Sequence, residues 1–165
     1  MSYVPPAPAP PASVGLQQSD APTLLQCPGE GDARRTGDQA IAALYLGQRT
    51  AGAIGLWVTV YSPDACGTNT VRTSGPALMS SFVWTFKDAG SAQTFYGHAL
   101  QGMSAQAGSA WGLRSASRVG QSPNGSGADY TVIWVAGVRV VVLGTQGTSL
   151  DAARQAARGI DSRLS

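Results

Sequence analysis

The chain reads as an α+β domain, a largely antiparallel β-sheet of about five strands with two or three helices packed on it. Three observations predict this class. Several stretches are β-rich with apolar and polar residues alternating at period two, others repeat apolar residues at helical spacing, and the strands are joined by short turns or by single helices. With 165 residues, 43% of them hydrophobic, there is enough material for one core and not for two comfortable ones. The organisation expected is a Pro/Ala-rich linker over residues 1–13 and a single domain over residues 14–165.

Taken in order, residues 3–12 read Tyr-Val-Pro-Pro-Ala-Pro-Ala-Pro-Pro-Ala, which favours extended polyproline II and cannot build a core. The tract suits a spacer better than a groove ligand, because no arginine flanks its P-x-x-P spacings at Pro5, Pro8 and Pro11. Residues 14–37 look like loop, broken by Pro22, Pro28, Gly29 and Gly31. Residues 38–46 predict a short helix with Asp38 as N-cap, Ile41, Leu44 and Tyr45 on one face, and Gly47 as the stop.

Period two then takes over. Residues 53–61 predict a strand with Ile54, Leu56, Val58 and Val60 on one face and Trp57, Thr59 and Tyr61 on the other. Residues 78–86 predict a second, with Phe82, Trp84 and Phe86 together. Asp88 caps a helix over residues 89–104, whose stripe is Ala92, Phe95, Tyr96, Ala99, Leu100 and Met103. A weaker strand over 112–119 precedes a Gly-rich turn, and the strongest pair, 130–135 and 138–143, is joined across Ala136-Gly137. Ser149 caps the last helix, with Leu150, Ala153, Ala157, Ile160 and Leu164 in one stripe. The helices are expected on one face of the sheet.

Charge excludes more than it suggests. Eleven basic and nine acidic side chains give a net charge of +2, and the arginines are scattered, so no nucleic-acid partner is expected. No run approaches the roughly 18 apolar residues that cross a bilayer. Residues 1–12 lack the basic start and apolar run of a signal peptide, leaving either a cytosolic protein or a targeting segment outside this sequence. The two cysteines, Cys27 and Cys66, both lie in Pro/Gly-flanked, turn-like surroundings. A disulfide between them would close a loop of about 40 residues and stabilise the fold by roughly 3 to 4 kcal/mol. The competing readings are two unrelated free thiols or, further down, a redox or metal role.

Catalytic signals are thin. The lone histidine, His98, falls beside Thr94 and Gln101 on the polar side of its helix, which reads as a solvated surface residue rather than a base or ligand. One histidine and two cysteines do not complete a zinc site at any recognisable spacing. Gly120-Gln-Ser-Pro-Asn-Gly lacks the strand-to-helix context of a nucleophile elbow and the Lys-Ser/Thr ending of a phosphate-binding loop. No catalytic residue, metal or cofactor is assigned. The aromatics admit two readings: Trp84 with Phe82 and Phe86, Trp134 with Tyr130, and Trp57 with Tyr61 line the core, or they form an exposed wall able to hold a ligand. Trp111, between Gly108 and Gly112, is the candidate for an exposed loop aromatic.

A Pro/Ala tract, a cysteine pair, a strand running through Phe82-Val-Trp-Thr-Phe-Lys-Asp-Ala-Gly-Ser-Ala into a helix, and Tyr130-Thr-Val-Ile-Trp-Val-Ala-Gly-Val-Arg-Val-Val-Val before a closing helix together resemble actinobacterial extracytoplasmic lipoproteins. They also resemble the extracellular sensor domains of receptor kinases from those organisms. The resemblance implies a non-catalytic binding or sensor module tethered to the cell envelope, with its targeting segment outside this sequence. It implies a ligand held between sheet and helices by Trp57, Trp84, Trp111 and Trp134. That partner would be a small molecule, glycan, lipid or envelope protein. A small hydrolase and an assembly protein with an exposed strand edge are the alternatives.

Overall fold

The computed structural model of the chain describes residues 11–28, 31–32, 39–67, 77–101, 106–107, 117–121 and 130–164. Residues 1–10 of the linker expected over 1–13, the Asp38 cap and Met103 lie outside them, and its residues 11–13 belong to a short helical turn. So do Trp111 and the Gly-rich turn. Within the described residues the elements run α1 (Pro11–Val14), a 3-10 turn (Gln18–Asp20), β1 (Leu25–Gln26), β2 (Gly31–Asp32), α2 (Gln39–Gln48), β3 (Ala53–Ser62) and β4 (Leu78–Phe86). They continue with α3 (Ala89–Leu100), β5 (Gln106–Ala107), β6 (Ser117–Gln121), β7 (Tyr130–Ala136), β8 (Arg139–Gln146) and α4 (Leu150–Arg163). The α+β class is as expected.

All strands join one antiparallel sheet in the order β1-β3-β4-β8-β7-β6-β5, with β2 also on β3. Among the described residues, five of the eight strands have five or more residues, and the other three are two-residue pairings. Period-two alternation makes the long strands, since Val, Ile, Trp and Thr suit a pleated surface. The β7–β8 hairpin turns through Gly137-Val138, with Gly137 at φ +60°. A positive φ at the first loop position matches the twist of the flanking strands and favours glycine there.

The helices lie on both faces of the sheet, which corrects the one-face expectation. On one face, Val83, Val132, Trp134, Val141 and Leu143 meet Ala153, Ala156, Ala157 and Ile160 of α4, together with Val14, Leu16, Ala21 and Leu24. On the other, Leu56, Val58, Trp84, Phe86 and Val140 meet Tyr45 of α2 and Ala92 and Tyr96 of α3. The strands of the centre are apolar on both sides, as a middle layer requires. Residues 14–24, expected to be loop, therefore form part of the core. No periodicity marks them, because they wrap rather than repeat.

Two further expectations change. The strand β3 carries an irregularity between Ala53 and Gly55, where Ala53 pairs with Phe86 and Gly55 with Thr85. The extra residue turns Ile54 outward, 53% exposed, and puts Ala53 in the core instead. In α2 the helix runs past Gly47 to Gln48, with Tyr45 buried and Leu44 45% exposed. Elsewhere the caps are as expected: Asp88 Oδ1 accepts from the Ser91 N–H at 2.6 Å and Ser149 Oγ from the Ala152 N–H at 3.1 Å.

Candidate functional site

Cys27 follows β1 and donates its N–H to the Val60 carbonyl at 2.8 Å, which seats it at the sheet edge. Cys66 closes the turn after β3, its N–H donating to Ser62 Oγ at 2.6 Å and its φ at +62°. The two form a disulfide with Cα atoms 5.2 Å apart. Both cysteines are buried, so their turn-like flanks conceal a core position. The bridge ties the end of β1 to the end of β3 on the α2–α3 face.

A cavity of about 370 Å³ opens at the opposite face, where α4 begins. Its volume lies within the usual range for small-molecule sites. Gly147, at φ +61°, turns the chain out of β8, Thr148 and Ser149 follow, and the Ser149 cap starts α4 at the cavity rim. Met79 and Leu24 supply buried apolar lining, and Asp20 lines the side nearest the 3-10 turn. Thr148 Oγ1 is buried with no hydrogen-bond partner. An apolar floor with a few polar groups and a helix N-terminus suits a compact ligand with an apolar body and one polar end.

Asp20 itself is committed to structure. Its carboxylate accepts from the Gln17 N–H at 2.9 Å and from Arg163 Nη1 at 3.3 Å, and pairs with Arg163 Nη2. Arg163 also donates to the carbonyls of Val14 at 3.2 Å and Gly15 at 3.0 Å. One guanidinium at the end of α4 thus fastens residues 14–20, the last of which begins the cavity wall of Asp20, Ala21, Pro22, Thr23 and Leu24. A general acid or base needs a free carboxyl or imidazole in reach of substrate. Among the described lining residues, Asp20 is the carboxylate, and it is taken. His98 is exposed on α3, on the other side of the sheet. No group of three or more His, Cys, Asp or Glu side chains among the described residues is placed to hold a metal ion.

The tryptophans expected at a ligand site are dispersed. Trp134 is fully buried under α4, and Trp84 is buried on the opposite face, where its ring lies 5.1 Å from that of Phe95. Trp57 is half-buried on the α4 face and packs against Gly31, whose missing Cβ would sit 3.4 Å from the ring. None of these three lines the cavity. The cavity was not visible in the sequence, because its residues come from three distant segments and only the Ser149 cap is a local signal.

No protein-family profile matches the chain, and no characterised protein matches it in sequence. Among solved structures it superposes on the extracellular domain of PknH from Mycobacterium tuberculosis with a TM-score of 0.52 and 11% identity, covering 96% of this chain and 97% of that one. That is a likeness of fold. It extends over nearly the full length of both chains.

Proposed function

We propose that this chain is a non-catalytic binding or sensor module working outside the cytoplasm, tethered to the cell envelope through its Pro/Ala segment. The observation that carries the reading is the full-length likeness to an extracellular domain. The buried Cys27–Cys66 disulfide supports it, since such bridges persist in oxidising compartments. No helix among the described residues is long and apolar enough to cross a membrane.

The ligand site in this reading is the cavity at the start of α4, with its wall held by the Asp20–Arg163 pair. Of the expected tryptophans, Trp57 is half-buried and Trp84 and Trp134 are buried in the core, none of the three at this cavity, and Trp111 lies outside the described residues. Ligands of the right chemistry are compact fragments of the envelope, whether glycan, peptide or lipid, with an apolar body and a polar end.

The test is a thermal-shift screen of the purified chain against envelope glycan, peptide and lipid fragments, run beside Ala152→Trp. The larger side chain fills the cavity from α4. A ligand that raises the melting temperature of the parent and not of the folded variant supports the reading. Hits that stabilise both equally, or turnover of a fragment by the parent chain, count against it. Alkylation of cysteines in intact cells making the full protein tests the compartment: two free thiols there would oppose an extracytoplasmic location.

A further inference from the structure

About 20 Å along β4 from the cavity, the six residues from Met79 to Thr85 at strand spacing, the same sheet face carries an unusual set of polar groups. Arg139 is 6% exposed, Thr85 9% and Trp134 fully buried. Arg139 Nε, Thr85 Oγ1 and Trp134 Nε1 are each buried with no hydrogen-bond partner. Arg139 and Thr85 face each other in register across β4 and β8. Trp134 pairs with Val141, two residues further along β8, which makes it the diagonal neighbour of Arg139 on the same face. Three unpartnered buried polar side chains therefore share one corner of the sheet.

Their chemistry is one-sided. A guanidinium is donor-only, an indole N–H is donor-only, and a threonine hydroxyl can donate. No carboxylate among the described residues neutralises Arg139, and the buried carboxylate of α4, Asp161, already has an interaction of its own. Burial lowers the Arg139 pKa from its ordinary value with no opposing charge to raise it. A buried cation without an acceptor costs several kcal/mol, and a buried unmet donor about 1 to 3 kcal/mol. Such groups persist in native proteins chiefly where something completes them. The row has space for it: Arg139 and Thr85 are flanked by Gly55 on β3 and Ala136 on β7, and a Cβ at Gly55 would touch nothing nearer than Thr85 at 3.9 Å.

We propose that Arg139, Thr85 and Trp134 form a binding site for a carboxylate, separate from the cavity at the start of α4. The carboxylate's lone pairs accept from the guanidinium, the hydroxyl and the indole N–H together. It arrives either as a free small organic acid or as the carboxyl end of a peptide. This site stands whether or not the cavity binds a ligand.

The test uses the full chain labelled with ¹⁵N and the indole N–H signals of its four tryptophans. Trp134→Phe identifies the Trp134 signal by its loss. Sodium acetate and N-acetyl-Ala-Ala are the probes, each titrated at constant ionic strength. The expected result is a saturable shift of the Trp134 signal that is lost in Arg139→Met and weakened about tenfold in affinity in Thr85→Val. Saturation by acetate alone assigns the site to free acids, and saturation by both probes to carboxylates including peptide ends. No saturable shift with either probe overturns the proposal, as does an equal shift in folded Arg139→Met. Where Arg139→Met does not fold, Thr85→Val decides: undiminished affinity in that variant overturns the proposal.

Discussion

Single side chains decide more here than their number suggests. Gly159 on α4 faces Asp20 so closely that a Cβ there would overlap the carboxylate. Helix propensity by itself predicts that Gly159→Ala stabilises by about 1 kcal/mol. The packing predicts the opposite sign, a loss of about 1 to 3 kcal/mol, because the Asp20–Arg163 pair must shift. Denaturant unfolding of the variant distinguishes the two. Arg139 runs the other way: with its buried Nε unmet, Arg139→Met should raise stability by about 1 kcal/mol or more in acetate-free buffer. Asp88 sets a pH dependence. Its hydrogen bonds from Ser91, backbone first, lower its pKa below the ordinary aspartate value of about 3.9, with Lys87 adding to the effect. A depressed folded value means the contribution is fully present above the unfolded pKa and fades as pH falls through the folded one. Acid unfolding of Asp88→Asn, which keeps an N-cap acceptor, should lack that component.

At the scale of elements, α4 and the disulfide hold the two faces of the sheet. The α4 stripe of Ala153, Ala156, Ala157 and Ile160 is fully buried, in one cluster with Trp134 of β7 and Val141 and Leu143 of β8. Ile160→Ala should cost about 2 to 5 kcal/mol by leaving a cavity, read from the unfolding midpoint. Removing the Cys27–Cys66 bridge releases a loop with a sequence separation of 39, for which chain entropy gives about 4 kcal/mol. Cys27→Ala with Cys66→Ala should therefore lower the melting temperature. Reductant should have no further effect on that variant. A melting temperature unchanged by both treatments would mean that the α2–α3 face is held by its apolar contacts alone.

For the whole molecule, the layering places its two candidate sites. A sheet covered on both faces hides most of its aromatics, so recognition is left to places where a layer ends. One is the start of α4, where the N-terminal segment completes a cavity; the other is the corner with Arg139 and its two neighbours. Both lie on the α4 face, and both depend on that helix keeping its place. Loosening α4 through Ile160→Ala should then weaken acetate binding at Arg139 along with overall stability, whereas removal of the disulfide on the opposite face should leave the binding nearly unchanged. Parallel titrations of the two variants measure this difference.

The sequence by itself determined the class of fold, the long strands β3, β4, β7 and β8, the Asp88 and Ser149 caps and the stripe of α4. These rest on period and on short-range capping, which neighbours in the chain specify. It also offered Cys27 and Cys66 as partners, while leaving free thiols open, because pairing depends on distance through space. Only the tertiary structure decided that helices cover both faces, since period two marks a strand's faces without saying what lies over each. Only it turned Ile54 outward, through an irregularity that no composition announces, and drew the non-periodic segment 14–24 into the core. The candidate sites belong wholly to this second kind of information. Arg139, Thr85 and Trp134 are unremarkable in their own strands, and antiparallel register brings their unmet donors together.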